Sequence, residues 1–565
     1  MDTQSHLFIG ASSDDNTPVF APLKYANRHG LVSGATGTGK TVTMQILAEG
    51  FSRAGVPVFL ADVKGDVSGM AAAGSTHPKL EERAQTIGLA DYSYRGHPLM
   101  FWDLFQKSGH PVRATVSDMG PLLISRMLQL NEVQEGVLNI AFAVADANQW
   151  ELLDFKDLRQ MLVHIGQHAR EYGLQYGSIS TASVGAIQRA LLTLQRQGGE
   201  QFIGEPALKL KDLMRKDANG HGMISCLHAV ELMTSPKLYA SFLLWLISEL
   251  FEELPEAGDT DRPKLVFFFD EAHLLFRDAP AGLVDKIEQV VRLIRSKGVG
   301  IYFVTQNPID VPPRVLGQLA SRFQHALRAY TPVDQRAVRA AADTFRPNPA
   351  FDTEEAITQL GVGEALVSVL EKKGVPSMVQ RTLIRPPESR MGPLDPAERD
   401  AVMAASPLAG VYDQALDEFS AYEALEQRRL QQEAEALRAE QLEQGGGMGW
   451  DDEPEPYTPE AQPYDYEPVS RSSSGARRVS GRGSRRASSS RDAGGRASGR
   501  STSRSSSRSS SRRSSRQTVQ EAAIKSFTRS LSTSLGRELG KTLSRSVLGT
   551  PSRRRRSSSS RSRRR

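Results

Sequence analysis

Apolar residues follow two rhythms along the chain. Short unbroken apolar runs occur at Leu31–Gly34, Val56–Asp66, Lys264–Phe276, Val299–Pro308, Phe323–Tyr330 and Glu364–Leu370. Between them, helical patterns cover Thr41–Arg53, Val284–Ser296 and Val333–Asp343. A strand that is apolar at every position has both faces buried. Such strands alternating with helices predict an α/β fold with a mainly parallel central sheet covered on both sides. From Pro121 to about Leu254 the pattern is mostly helical, punctuated by Gly173, Gly177, Gly185, Gly198 and Pro236, which predicts a helical insertion. Its most apolar stretch, Leu238–Phe251, contains Glu249 and falls short of the roughly 20 residues that cross a bilayer. It predicts a buried helix.

Val411–Gln444 is rich in Glu, Ala, Leu, Arg and Gln without Gly or Pro. It predicts one long solvated helix or a short coiled coil. Beyond it, Trp450–Pro468 is acidic and Pro-rich, and Ser470–Arg516 is Ser/Arg low complexity, a composition that buries too little to fold. Ile524, Phe527, Leu531, Leu535, Leu539, Leu543 and Val547 then recur at helical spacing among Lys525, Arg529, Arg537, Lys541 and Arg545, as in a basic amphipathic helix. The expected layout is therefore a core in two parts, 1–120 and 259–395, split by the helical insertion 121–258. A long helix over 396–444, a disordered linker over 445–516, the amphipathic helix 517–549 and a basic end 550–565 follow.

The 565 residues carry a formal charge of +5, but the Arg/Ser tail supplies the excess and leaves the folded part nearer neutral. The single cysteine, Cys226, allows neither an internal disulfide nor a thiolate metal cage, and a reducing cytoplasm is the expected setting. Met1–Asp15 lacks the apolar run of a secretory leader.

The first apolar run opens into Gly34-Ala35-Thr36-Gly37-Thr38-Gly39-Lys40-Thr41, which satisfies the pattern G-x-x-x-x-G-K-[ST]. Glycines let the backbone curl until several N–H groups face one phosphate, and the helix N-terminus adds partial positive charge. Lys40 is a point charge for the β- and γ-phosphates of ATP, and the Thr41 hydroxyl is placed to ligate Mg²⁺. A carboxylate must share that ion. Phe269-Asp270-Glu271 ends an apolar run, so Asp270 is the expected metal partner and Glu271 the group that orients the attacking water. The same two acids would also serve as plain helix caps. Gln306, in Thr305-Gln306-Asn307-Pro308, stands at another strand end, where ligands of parallel sheets gather. It reads as a γ-phosphate sensor or as one polar residue of a turn. Arg292 and Arg295, three apart on one helix, are each a solvated surface residue or an arginine supplied in trans.

The order of this loop, Asp62-Val63-Lys64-Gly65-Asp66, the helical insertion, Phe267-Phe268-Phe269-Asp270-Glu271-Ala272-His273, Arg295-Ser296-Lys297-Gly298, Thr305–Pro308 and Gly363-Glu364-Ala365-Leu366 resembles the HerA–FtsK superfamily of P-loop ATPases. It looks closest to its bacterial YjgR-like branch of HerA-like helicases. The tetrad Asp270–His273 does not make a DEAH-box helicase: Lys40 and Glu271 are 271 − 40 = 231 positions apart, too far for that family. The resemblance covers about Leu7–Pro386. It implies a RecA/FtsK-like P-loop fold, Lys40 and Thr41 on nucleotide and Mg²⁺, Asp270 supporting the metal, Glu271 as the catalytic acid, Gln306 as sensor and Arg295 as the trans arginine. It further implies a hexameric homo-oligomer that translocates on or remodels duplex DNA, with a nuclease or other protein as partner. Only 33 residues precede Gly34, too few for the N-terminal β-barrel of HerA itself. A ring ATPase acting on a protein or another polymer, or a nucleotide-dependent scaffold, fits the same motifs. The tail suits phosphate backbones, an anionic membrane surface or simple solubilisation.

Overall fold

The computed structural model describes residues 5–258, 260–277 and 281–444. Its strands are β1 (His6–Ser12), β2 (Pro18–Pro22), β3 (Gly30–Ser33), β4 (Val58–Asp62), β5 (Leu99–Asp103), β6 (His110–Pro111), β7 (Ile224–His228), β8 (Leu265–Phe269), β9 (Val299–Thr305), β10 (Ser321–Gln324), β11 (Glu364–Ser368) and β12 (Gln380–Ile384). They form one sheet in the order β2-β1-β12-β11-β10-β3-β9-β8-β4-β7-β5-β6. From β10 to β6 every neighbouring pair is parallel. At the other edge β11, β12, β1 and β2 are antiparallel. The sheet is mainly parallel, as the apolar runs predict.

The unbroken runs have a direct cause. On β8, Leu265, Phe267 and Phe269 enter one core while Val266 and Phe268 enter the other. On β9, Ile301 and Phe303 face the first core, and Tyr302 and Val304 the second. Helices on both faces leave no strand position for a polar residue. The first core gathers the helices between Val116 and Glu253, with Leu243, Trp245 and Leu246 deeply buried. No described helix is long and apolar enough to cross a membrane. The second core holds helix α1 (Lys40–Arg53) through Met44, Leu47 and Phe51.

Three expectations change. The stretch 121–258 is not wholly helical, because β7 lies inside it and pairs with β4 and β5. Five residues are too few to break a helical periodicity that both flanks sustain. The long helix does not fill 396–444. A helix covers Pro396–Ala404, irregular chain follows, and the long helix spans Ala421–Gln444. Tertiary burial sets that late start: Tyr412 is fully buried, its hydroxyl donates to Asp212 Oδ2 at 2.6 Å, and Arg113 holds its carbonyl at 2.8 Å. The residues before Gly34 also do more than lead in, since β1 and β2 extend the same sheet. The segments expected as linker 445–516, amphipathic helix 517–549 and basic end 550–565 lie outside the described residues.

Candidate nucleotide-binding site

Parallel pairing brings the carboxyl ends of β3, β9, β8 and β4 to one edge in that spatial order. The glycine-rich loop leaves β3 there and runs into α1. Gly34, Gly37 and Gly39 all have positive φ, and close neighbours exclude side chains at two of them. A Cβ on Gly34 would come within 2.5 Å of His325, and one on Gly39 within 3.2 Å of Gly363. Above Gly37 the space is open, and Thr36 and Gly37 are exposed. The loop is thus braced below and free above. Bracing comes from Ala35 N–H to the Ala326 carbonyl (2.8 Å), Gly363 N–H to the Thr38 carbonyl (3.0 Å), and the Thr38 hydroxyl to the Ala35 carbonyl (2.7 Å).

Beneath the loop lies His325, wholly buried, with Nε2 2.8 Å from the Thr43 hydroxyl and Nδ1 2.9 Å from the Glu364 carbonyl. A carbonyl only accepts, so Nδ1 carries the proton and Nε2 accepts from Thr43. Burial pushes this imidazole down to about 4, and it stays neutral. Lys40 is 6% exposed and donates to the carbonyls of Gly34 (2.7 Å) and Ala35 (3.0 Å). Burial and the nearby Lys64 ammonium lower its pKa, against the pull of Glu271 and Asp270. Thr41 is half-buried on the first turn of α1.

Asp270 and Glu271 follow β8 and are 5% and 4% exposed. Glu271 has φ +49°, a left-handed conformation that costs a non-glycine residue about 1–3 kcal/mol and marks a held geometry. Its N–H donates to Asp270 Oδ1 at 2.9 Å. Burial raises the Asp270 carboxyl to about 6, although Lys64 pulls it down. Burial also raises Glu271, but the Lys64 ammonium, Gln306 and His273 outweigh it, and the net shift is downward. Gln306 Nε2 donates to both Glu271 oxygens at 3.2 and 3.3 Å, and His273 Nδ1 lies 3.2 Å from Oε2. Gln306 and Glu271, predicted from separate strand ends, therefore meet.

Lys64 was not among the residues singled out from the sequence. It sits 2.9 Å from Glu271 Oε1 and 3.9 Å from Asp270 Oδ2. Asp62, just before it, accepts from the backbone N–H groups of Gly65 (2.7 Å), Asp66 (3.2 Å) and Val67 (3.3 Å) and folds the turn that presents it. The available signal was a lysine among acids at a strand end. His325 and Gly363 gave weaker signals, since what they do is press on another strand's loop.

Arg295 does not join this cluster. It is exposed, and it precedes β9 in the short helix Arg295–Lys297, so it stands at the opposite edge of the sheet. It cannot reach the loop of its own chain.

The donor set fits a magnesium nucleotide. A small hard cation keeps several waters and takes one or two protein oxygens beside phosphate, which the Thr41 hydroxyl and the Asp270 carboxylate supply. Among the described residues, no group of three or more His, Cys, Asp and Glu could hold a metal by itself, as expected of an ion that arrives with a phosphate chain.

A strand, glycine-rich loop and helix, facing acids two strands away with a third strand between, define a P-loop nucleoside triphosphatase fold. The chain belongs to the helicase HerA-like C-terminal family, whose model matches residues 9–463. A probable helicase of Methanocaldococcus jannaschii is 30% identical over 125 residues, which is 21% of this chain and 22% of that protein. The match thus spans about a fifth of the relative's length. Among solved structures, VirB4 of Thermoanaerobacter pseudethanolicus aligns over 70% of this chain and 98% of its own, with 15% identity and a TM-score of 0.43. The plasmid coupling protein TrwB, solved with ADP and Mg²⁺, aligns over 67% and 91%, with 17% identity and a TM-score of 0.39.

Proposed function

We propose that this chain is a subunit of a homo-oligomeric, hexameric ring that hydrolyses ATP with Mg²⁺ and translocates on or remodels double-stranded DNA. The observation that carries the reading is the convergence of Lys64, Gln306 and His273 on Glu271, at the same sheet edge as the braced loop. A helix-capping acid needs no such partners. Family membership supports the motor class.

Backbone N–H groups of Gly34–Thr41 and the Lys40 ammonium grip the phosphates. Thr41 and Asp270 hold the ion, which when bound withdraws charge from the phosphate oxygens. Glu271, kept ionised by Lys64, accepts a hydrogen bond from water and orients it. Its lowered pKa suits orientation better than retention of a proton. Gln306 fixes the carboxylate and lies on the strand next to the loop, where it meets the γ-phosphate. Arg295, at the far edge, serves the nucleotide of a neighbouring copy. A protein partner such as a nuclease would dock on the ring. Work inside the cytoplasm accords with the single buried Cys226.

The deciding experiment measures ATP hydrolysis with and without duplex DNA, for the full chain and for a chain ending at residue 444, with particle mass determined in the presence of nucleotide. Stimulation by duplex DNA and a ring mass are expected. A rate indifferent to any nucleic acid would move the substrate to a protein or another polymer.

A further inference from the structure

At the amino-terminal edge of the parallel strands, opposite the phosphate loop, a cavity of about 320 Å³ is lined by Arg28, Arg292, Arg295 and Arg322, beside His29 and Gln318. No Asp or Glu lines it. Among the described residues, none of the four guanidinium groups takes part in an ion pair. Arg28 is held over the Tyr25 ring at 5.3 Å. Arg322 donates from Nη2 to the Leu316 carbonyl at 3.2 Å, while its Nη1 is buried with no hydrogen-bond partner. His29 contributes no compensating charge: its Nδ1 accepts from Ile301 N–H at 3.0 Å, and burial pushes it down to about 4.

Four like charges around one small space repel, and a buried guanidinium N–H without an acceptor is costly. The missing component is an anion of high charge. A single carboxylate would neutralise one of the four. A phosphate chain meets several at once, because the planar guanidinium fork matches pairs of phosphate oxygens. The volume suits a small ligand and not a length of duplex.

The geometry points to a second anion site, separate from the phosphate loop: this cavity binds a small polyphosphate, the phosphate chain of a nucleotide or inorganic pyrophosphate, within one copy of the chain. The trans role proposed for Arg295 places that residue on a nucleotide held by another copy. The present site needs no neighbour and stands or falls independently. Its position gives it leverage. Strands β3, β9 and β10 each have a cavity residue at or just before the start (His29, Arg295, Arg322) and a nucleotide-site residue at the end (Gly34, Gln306, His325). Five residue steps from His29 to Gly34 span about 16 Å at roughly 3.3 Å each.

The test uses full-length Lys40→Ala, which lacks the loop ammonium, titrated with pyrophosphate by calorimetry at fixed salt. Two further chains carry the same change with Arg28→Ala/Arg292→Ala or with Arg322→Lys, each checked for native circular dichroism. The expected result is a one-site isotherm that weakens at least about tenfold with the double alanine change and less with Arg322→Lys, since each lost charge-assisted bond is worth about 1.5–3 kcal/mol. Binding by the basic tail is common to all three chains, so identical isotherms would overturn the proposal. Displacement by ATP would assign the site to nucleotides, and pyrophosphate binding without it to the inorganic ion. Equal displacement by a single-stranded oligonucleotide would overturn the assignment to a small polyphosphate.

Discussion

Lys64 shows how one side chain sets two others. It draws the Asp270 carboxyl down against burial, yet Asp270 still ends at about 6. The cation needs the ionised form, so Mg²⁺-dependent nucleotide binding should strengthen as pH rises through about 6 and fail below it. Stability carries the opposite sign. The folded-state pKa lies above the ordinary 3.8, so the stabilising contribution of the protonated carboxyl is complete below about 4 and lost as pH rises through about 6. In Lys64→Met the midpoint for Mg²⁺-nucleotide binding should move above 6, read by titrating a fluorescent ATP analogue against pH. An unmoved midpoint would remove Lys64 from the site. For Glu271→Gln we expect nucleotide binding within a few-fold of wild type and hydrolysis lower by about 10²–10⁴-fold. Comparable hydrolysis in wild type and variant would return Glu271 to a capping role.

Among the elements, α1 depends on chain distant in sequence. Its Glu49 is wholly buried and accepts from Arg385 Nη2 (3.1 Å), from the backbone N–H groups of Glu388 and Ser389, and from the Ser389 hydroxyl (2.6 Å). Removing one member of a buried pair strands the other charge. Arg385→Ala should therefore cost about 3–5 kcal/mol, measured by urea denaturation. Arg385→Ala with Glu49→Ala should cost less than the sum of the two single changes. His325→Ala should cost about 2–4 kcal/mol, through lost volume and through the stranded Thr43 hydroxyl and Glu364 carbonyl, with a matching loss of nucleotide affinity. The elements that bear the site were legible because their patterns are local: the loop with its glycines, and β8 and β9 with apolar runs ending in polar residues. β1, β2, β7 and β12 were not, because a short strand's partners and burial are settled by distant chain. The same limit hid Lys64, His325 and Gly363, whose importance comes from pairing between strands far apart in sequence.

For the molecule as a whole, the parallel strands define two edges with different chemistry. One gathers acids around Glu271, and the other gathers arginines. A ring that passes nucleotide between copies requires such an asymmetry, because one copy's arginine edge must face its neighbour's acid edge. If duplex DNA is the track, DNA-stimulated hydrolysis should fall steeply with salt, as counterions compete for the phosphate backbone. A series from 50 to 300 mM KCl, for the full chain and the chain ending at residue 444, separates motor from tail. A salt slope that vanishes with the tail would leave the ring without its own hold on DNA.

The clasp on Glu49 also sets a timetable. Glu388 follows it by 339 positions, and a ribosome adding about 5–20 residues per second needs roughly 17–70 s to bridge that gap. Throughout synthesis of the intervening chain, the first helix waits with an unmatched acid on the side that must be buried. A message truncated before Arg385 would encode every phosphate-gripping residue and yet yield a polypeptide unable to set them in place, so the newborn chain acquires its grip on fuel only near the end of its own translation.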